Sequence, residues 1–235
     1  MQNNVQIVSL GDGVLLIQWQ NRIDDSLNSR VLQLYSQLRS LSSFIVDVVP
    51  AYSSLAVYYD VVMLHTAGKT AFEVMKEHLQ PLLTTDATDI HTSGAIHRIP
   101  VCYESKFAPD LAELATAKKL AEEEVIRLHT GHIYRVYMIG FLPGFPYMGK
   151  VDSRIAAPRR SNPRTNITAG SVGIAGEQTG IYPLSSPGGW NIIGRTPLQL
   201  FNKERVEPVL LQPGDSVQFY SITEDEFNDQ QSRLA

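Results

Sequence analysis

Residues 171–183 run Ser171-Val172-Gly173-Ile174-Ala175-Gly176-Glu177-Gln178-Thr179-Gly180-Ile181-Tyr182-Pro183. Ser171 to Ala175 is a short strand-like run, and Glu177 to Pro183 reads as a hairpin connection with polar side chains at one rim, although Gly180 to Leu184 within and beyond it also has the look of a short strand. The same grammar continues on both sides. Strand-like runs occur at His132 to Ile139, Asn191 to Ile193 and Val206 to Leu211, and Pro213-Gly214-Asp215 leads into Ser216 to Tyr220. Many short strands punctuated by Gly and Pro predict a closed or nearly closed β-barrel. A strand at Ile96 to Tyr103 and helices near Asp110 to Ala117 and Ala121 to Leu128 precede it, and Thr223 to Leu234 reads as a last, polar helix.

The first part of the chain has a different rhythm. Val5 to Leu10 and Val14 to Trp19 flank the turn Gly11-Asp12-Gly13 and read as a hairpin. Ile23, Leu27, Val31, Leu34, Leu38 and Leu41 then share one helical face, with Asp24 and Asp25 where a helix N-terminus favours negative charge. Phe44 to Val49 and Ser54 to Tyr59 form a second strand pair, with a turn at Pro50. Thr70 to Leu79 is a second helix that should stop near Pro81. The order ββαββα makes an α+β unit, residues 1–85, and polar Thr84 to Asp89 is a reasonable linker to the barrel unit, residues 86–235.

Composition bounds what these units do. The 235 residues include 43% hydrophobic residues, enough for a substantial core, and a formal charge of -4 argues against a general nucleic-acid binder. A single cysteine, Cys102, cannot form an internal disulfide, which points to a cytoplasmic protein. No charged leader precedes an apolar run, and no apolar segment is long enough for a bilayer, so neither export nor a membrane is expected. There is no GxxxxGK[ST] loop, GxGxxG turn, GxSxG elbow or HExxH, and no Cys/His cluster for a metal.

What remains is a concentration of Gly, Pro, aromatic and Arg residues between 134 and 201. In Ile139-Gly140-Phe141-Leu142-Pro143-Gly144-Phe145-Pro146-Tyr147-Met148-Gly149, the prolines fix φ and the glycines relieve it, so a stiff loop is expected. Phe141, Pro143, Phe145 and Tyr147 then either wall a ligand pocket or plug the barrel end. Arg164 suits a carboxylate or phosphate, and amides around Gly170, Ser171 and Gly173 either make an anion cradle or mark tight turns. Gln178, with Thr179 and Tyr182 nearby, either reads an amide or satisfies loop backbone. Trp190 lies on a ligand or in the core, and Arg195 is a second anion contact or a salt bridge. His129 is a candidate acid-base group, but a helix-ending position before Thr130-Gly131 also explains it.

Three long motifs, residues 134–149, Pro163 to Pro183 and Pro187 to Leu198, together resemble the family of 5-oxoprolinase B subunits, also described as KipI-type sensor-kinase inhibitors or allophanate hydrolase subunit 1. The resemblance covers nearly the whole chain. It departs at Glu177, where the family often has Gly before Gln-Thr-Gly. The resemblance implies an N-terminal α+β domain and a cyclophilin-like barrel. It also implies membership of an ATP-dependent 5-oxoprolinase that hydrolyses 5-oxo-L-proline to L-glutamate together with the C and A subunits. The chain would be inactive alone, with ATP shared with or supplied by a partner; its rim residues Phe141, Phe145, Tyr147, Arg164, Gln178, Trp190 and Arg195 would serve an intersubunit cleft, and His129, Gln178 and Arg195 are the catalytic candidates. The other expectation from the same resemblance is a regulatory protein that inhibits a sensor histidine kinase through the barrel groove. Peptidyl-prolyl isomerisation follows only by analogy of fold.

Overall fold

The computed structural model describes residues 5–40, 43–84 and 96–234. The chain divides into two compact units, residues 1–92 and 93–235. The expected linker falls almost entirely outside the described residues, which resume at Ile96.

In the first unit β1 (Gln6–Ser9) and β2 (Val14–Gln18) pair as a hairpin, turning at Gly11, whose φ of 137° suits glycine alone. Helix α1 (Asp25–Arg39) begins at Asp24, whose carboxylate accepts the Leu27 N–H at 3.0 Å. Its buried stripe is Leu27, Val31, Leu34 and Leu38, as the 3.6-residue period requires, whereas Leu41 lies outside the described residues. With β3 (Ile45–Pro50) and β4 (Ser54–Tyr59) the strands form an antiparallel sheet in the order β1-β2-β4-β3. Helix α2 (Ala71–Thr84) does not stop at Pro81. Leu82 and Leu83 pack against the unit's core, and that burial holds the last turn although proline has no N–H to give it.

The second unit contains β5 (Ile96–Cys102), α3 (Leu111–Lys118), α4 (Glu122–Thr130), β6 (Ile133–Ile139), β7 (Pro146–Gly149) and β8 (Arg164–Ile167). It continues with β9 (Ser171–Ala175), β10 (Gln178–Ile181), β11 (Ser186–Gly188), β12 (Asn191–Arg195), β13 (Ser216–Ile222) and α5 (Glu224–Leu234). Seven strands close a barrel in the order β10-β7-β6-β13-β5-β12-β9, and β8 with β11 makes a separate ribbon. Strands β5 and β13 pair in parallel from Ile96 beside Ser216 to Cys102 beside Ile222. The polar tail helix is present, and a reciprocal box between Thr223 and Glu226 caps it. The chain is thus α+β, with a four-stranded sheet and helices followed by a mixed barrel.

Three expectations in this unit need correction. Gln178 to Gly180 is not a connection but strand β10, bonded to β7 and β9, and the turn is confined to Gly176 and Glu177. Pro146 to Gly149 likewise belongs to a strand, with Pro146 at its first position, where a missing N–H is tolerated. Val206 to Leu211 is not a strand. It carries one isolated bridge, Phe201 to Val209, because Glu204, Arg205 and Glu207 belong to solvent and Pro208 cannot donate to a ladder. Among the described residues no helix is long and apolar enough to cross a membrane, and no three potential metal ligands cluster.

Candidate functional site

The segment joining β6 to β7 is tied to itself. Gly140 N–H donates to Phe145 O, Leu142 N–H to Gly140 O and Phe145 N–H to Leu142 O, at 3.1, 2.8 and 3.0 Å. Gly144 has φ 80°, and a Cβ there would lie 3.1 Å from Phe201 Cβ, so the turn admits little else. Phe141 also adopts a positive φ, 67°, although it is not glycine, and its ring is 63% exposed. The stiff loop is therefore shorter than expected, with Phe141 and Pro143 exposed on it.

Beneath the loop lies an aromatic cluster centred on buried Phe145. Its ring centroid is 5.7 Å from Phe141, 4.7 Å from Tyr147, 5.1 Å from Tyr182 and 5.4 Å from Trp190. The edge-on pairs with Phe141, Tyr182 and Trp190 add about 0.5–1.5 kcal/mol each beyond area burial. Ile167, Ala175 and Ile192 complete the cluster. Burial pushes the Tyr182 hydroxyl up to about 12. Gly180 and Gly188 are the spaces into which these rings fit, since a Cβ at Gly188 would lie 2.3 Å from the Tyr182 hydroxyl oxygen. Trp190 is 4% exposed and packs in the core.

A second group centres on Asp110, a residue the sequence placed only at the start of a helix. Its buried carboxylate does not cap α3; it receives Arg164 through both terminal nitrogens, Arg160 at 2.8 Å and the Ile192 N–H at 2.6 Å. Arg164 thus already holds an anion, the protein's own. Arg160 also reaches Glu113 at 2.9 Å. Of the two readings of the amides around Gly170 to Gly173, the hydrogen bonds fit the tight turn, since these donors are used within the chain. Gly170 N–H donates to Tyr182 O, Ser171 N–H to Thr168 O, and Gly173 lies inside β9. Gly170 instead allows a close backbone crossing, because a Cβ would lie 2.4 Å from Thr196 O.

His129 sits inside the barrel with no exposed surface. Tyr103 donates its hydroxyl to Nδ1 at 2.8 Å, while Nε2 lies 3.0 Å from Thr179 Oγ1, which donates onward to Gly173 O. That chain fixes the neutral ring with its proton on Nε2. Phe219 stacks on it at 4.5 Å, and burial pulls its pKa down to about 3. A ring so enclosed organises the core and reaches no solvent-borne substrate. Gln178 is half-buried on β10, and its side-chain amide makes no hydrogen bond with the described residues.

A cleft of about 290 Å³ opens on the other side of Ile167 and Ile192. Arg164, Ser171 and Arg195 line it together with Lys106, Asn166 and Thr168, whereas Phe141, Phe145, Tyr147, Tyr182 and Trp190 do not. Arg195 donates Nε–H to Ala169 O at 2.8 Å and lies 5.6 Å over the Phe227 ring, and burial lowers its pKa. The structure therefore distributes one expected rim over three places. The aromatics share a cluster, Arg164, Ser171 and Arg195 share a cleft, and His129 with Thr179 belongs to the barrel interior. Asp110, Lys106 and Phe227 were missed because their partners lie far away in sequence.

Comparison with known proteins gives a consistent family. Residues 5–211 match the model of the carboxyltransferase domain, subdomain C and D. The chain is 43% identical to the B subunit of 5-oxoprolinase from Bacillus subtilis over 229 residues, covering 95% of both chains. It is 36% identical to the corresponding 5-oxoprolinase B subunit of Escherichia coli O157:H7 over 210 residues, covering 89% of this chain and 93% of that one. The crystal structure of TTHA0988 matches with a TM-score of 0.77 and 34% identity over 89% of this chain, which spans 40% of that longer one.

Proposed function

The chain belongs to the carboxyltransferase subdomain C and D family, and from that premise we propose that it is the B subunit of an ATP-dependent 5-oxoprolinase hydrolysing 5-oxo-L-proline to L-glutamate. The observation that carries this reading is its 43% identity to a 5-oxoprolinase B subunit across 95% of both chains. The architecture supports one component of an assembly rather than a complete enzyme. A lactam amide resists water, so its hydrolysis needs an activated carbonyl and a placed nucleophile. The deeply perturbed imidazole of His129 is sealed in the barrel, and among the described residues no buried nucleophile and base meet at the cleft.

The residues present do not fit a nucleotide triphosphate. The amides around Gly170 are used within the chain, and among the described residues the cleft carries one uncompensated cation, Arg195. On this reading ATP is shared with or supplied by a partner subunit, and this chain contributes a binding wall and an interaction surface. That surface includes exposed Phe141 and Pro143, held by the loop and by Phe145 beneath. The spans of TTHA0988 beyond this fold agree with a unit that works beside other domains.

The test is reconstitution. Purified chain alone is expected to release no glutamate from 5-oxoproline with ATP, and to gain that activity when the C and A subunits are added. Full activity of the chain alone, or no activity in the complete assembly, would overturn the reading.

A further inference from the structure

We infer that the cleft bounded by the Lys106 to Pro109 turn, strand β8 and the Arg195 end of β12 receives the carboxylate of a small organic acid. Three cations line it, but two are already compensated. Lys106 pairs with Glu224, and Arg164 is gripped by Asp110. Arg195 has no carboxylate partner among the described residues. Beyond its Nε–H bond to Ala169 O and its stacking on Phe227, its guanidinium makes no hydrogen bond or ion pair with them. Those two contacts fix the plane of the group and leave its terminal N–H donors for a ligand, the arrangement in which arginine holds a carboxylate through two parallel bonds.

The neutral groups around it have the same readiness. The side chains of Asn166, Thr168 and Ser171 line the cleft and make no hydrogen bond with other described residues. Ser171 is 5% exposed, so a hydroxyl is held at the floor without a partner among the described residues. One surplus positive charge with neutral donors matches a monoanion and not a polyphosphate. Size agrees, since about 290 Å³ lies just below the roughly 300–1,000 Å³ range of drug-sized ligand sites, as suits a smaller acid. Ile167 and Ile192 supply an apolar flank for the rest of the acid. That the acid is 5-oxoproline rests on the function proposed above; that it is a small carboxylate rests on the cleft.

The experiment is an NMR titration of the isotope-labelled full chain with 5-oxo-L-proline, with its uncharged primary amide and with inorganic phosphate. The acid is expected to shift the amide signals of Asn166, Thr168, Ser171 and Arg195, and the uncharged amide to bind about tenfold more weakly or worse. Arg195→Gln removes the response. Arg195→Lys, which keeps the charge without the fork, and Thr168→Val, on an exposed position, each weaken it and guard against a misfolded first variant. Tighter binding of phosphate, an equal response to the uncharged amide, or a response unchanged by these substitutions would overturn the assignment. So would the lack of any shift at those four positions. Turnover is read separately in the complete assembly. Glutamate release with an unaltered KM for 5-oxoproline in Arg195→Gln sinks the cleft assignment and leaves the proposed function standing. Carboxylate binding at the cleft with no turnover by the assembly does the reverse.

Discussion

At the scale of single residues, His129 shows how far burial overrides local sequence. Its place at the end of α4 suits a charged imidazolium, yet the ring is enclosed among Tyr103, Tyr134, Thr179 and Phe219 and is neutral. Its folded pKa, about 3, lies below the ordinary value of 6.5. The unfolded chain therefore takes up a proton first as pH falls. Stability that is fully present above pH 6.5 declines by about 1.4 kcal/mol per unit toward pH 3. Urea midpoints of the barrel unit should fall between pH 6.5 and 5, before ordinary carboxylates titrate. His129→Leu should abolish that slope and lower stability at pH 7 by about 1–3 kcal/mol, because two hydroxyls lose a partner. A wild-type midpoint independent of pH in that window would contradict the enclosed ring. Asp110 makes the complementary case. Its two arginines are 26% and 30% exposed and can turn to water, so Asp110→Ala should cost only about 1–3 kcal/mol by urea denaturation. None of this was legible in sequence, because Asp110 lies 50 and 54 residues from its arginines.

At the scale of elements, legibility followed length. The 15-residue α1 and the seven-residue β5 and β6 carry enough periodic positions to be read directly. Four-residue β7 and β10, built largely from Pro, Gly, Tyr and Gln, look like turns until β6 and β9 are beside them. Gly180 states the reason in atoms. It is a strand glycine because a Cβ would lie 2.9 Å from Pro146 O and 3.0 Å from both Phe145 Cζ and Trp190 Cζ3. Gly180→Ala is expected to destabilise by about 1–3 kcal/mol in denaturant, through overpacking. Phe141 should behave oppositely. Its positive φ is strained for phenylalanine and its ring is mostly exposed, so Phe141→Asn should leave the urea midpoint nearly unchanged. If the ring contacts the partner subunits, the same change weakens assembly measured by sedimentation. A large loss of stability with normal assembly would make Phe141 a plug of the barrel end.

At the scale of the whole molecule, two cores fold by different rules. The first unit's core is drawn from Leu15 to Leu79 and the barrel's from Ile99 to Phe219, with no residue in common. The ββαββα unit joins neighbours in sequence, apart from β2 with β4. The barrel instead closes through β5 and β13, so Ile96 to Cys102, paired otherwise only through Cys102 beside Arg195 of β12, must wait for Ser216 to Ile222 to complete its ladder. Pairing across that separation carries a large loop-closure cost that only the finished barrel offsets. Removing residues 216–235 should therefore unfold the second unit as a whole, because β6 also loses one of its two neighbours and α5 no longer covers Cys102 and Phe107. The first unit, with its core complete, should survive. Backbone NMR of the truncated chain is expected to keep dispersed signals for residues 5–40 and 43–84 while those from 96 onward collapse to random-coil positions. Loss of dispersion throughout would show that the first unit depends on the barrel. A barrel still dispersed without β13 would show that closure through the parallel pair is dispensable.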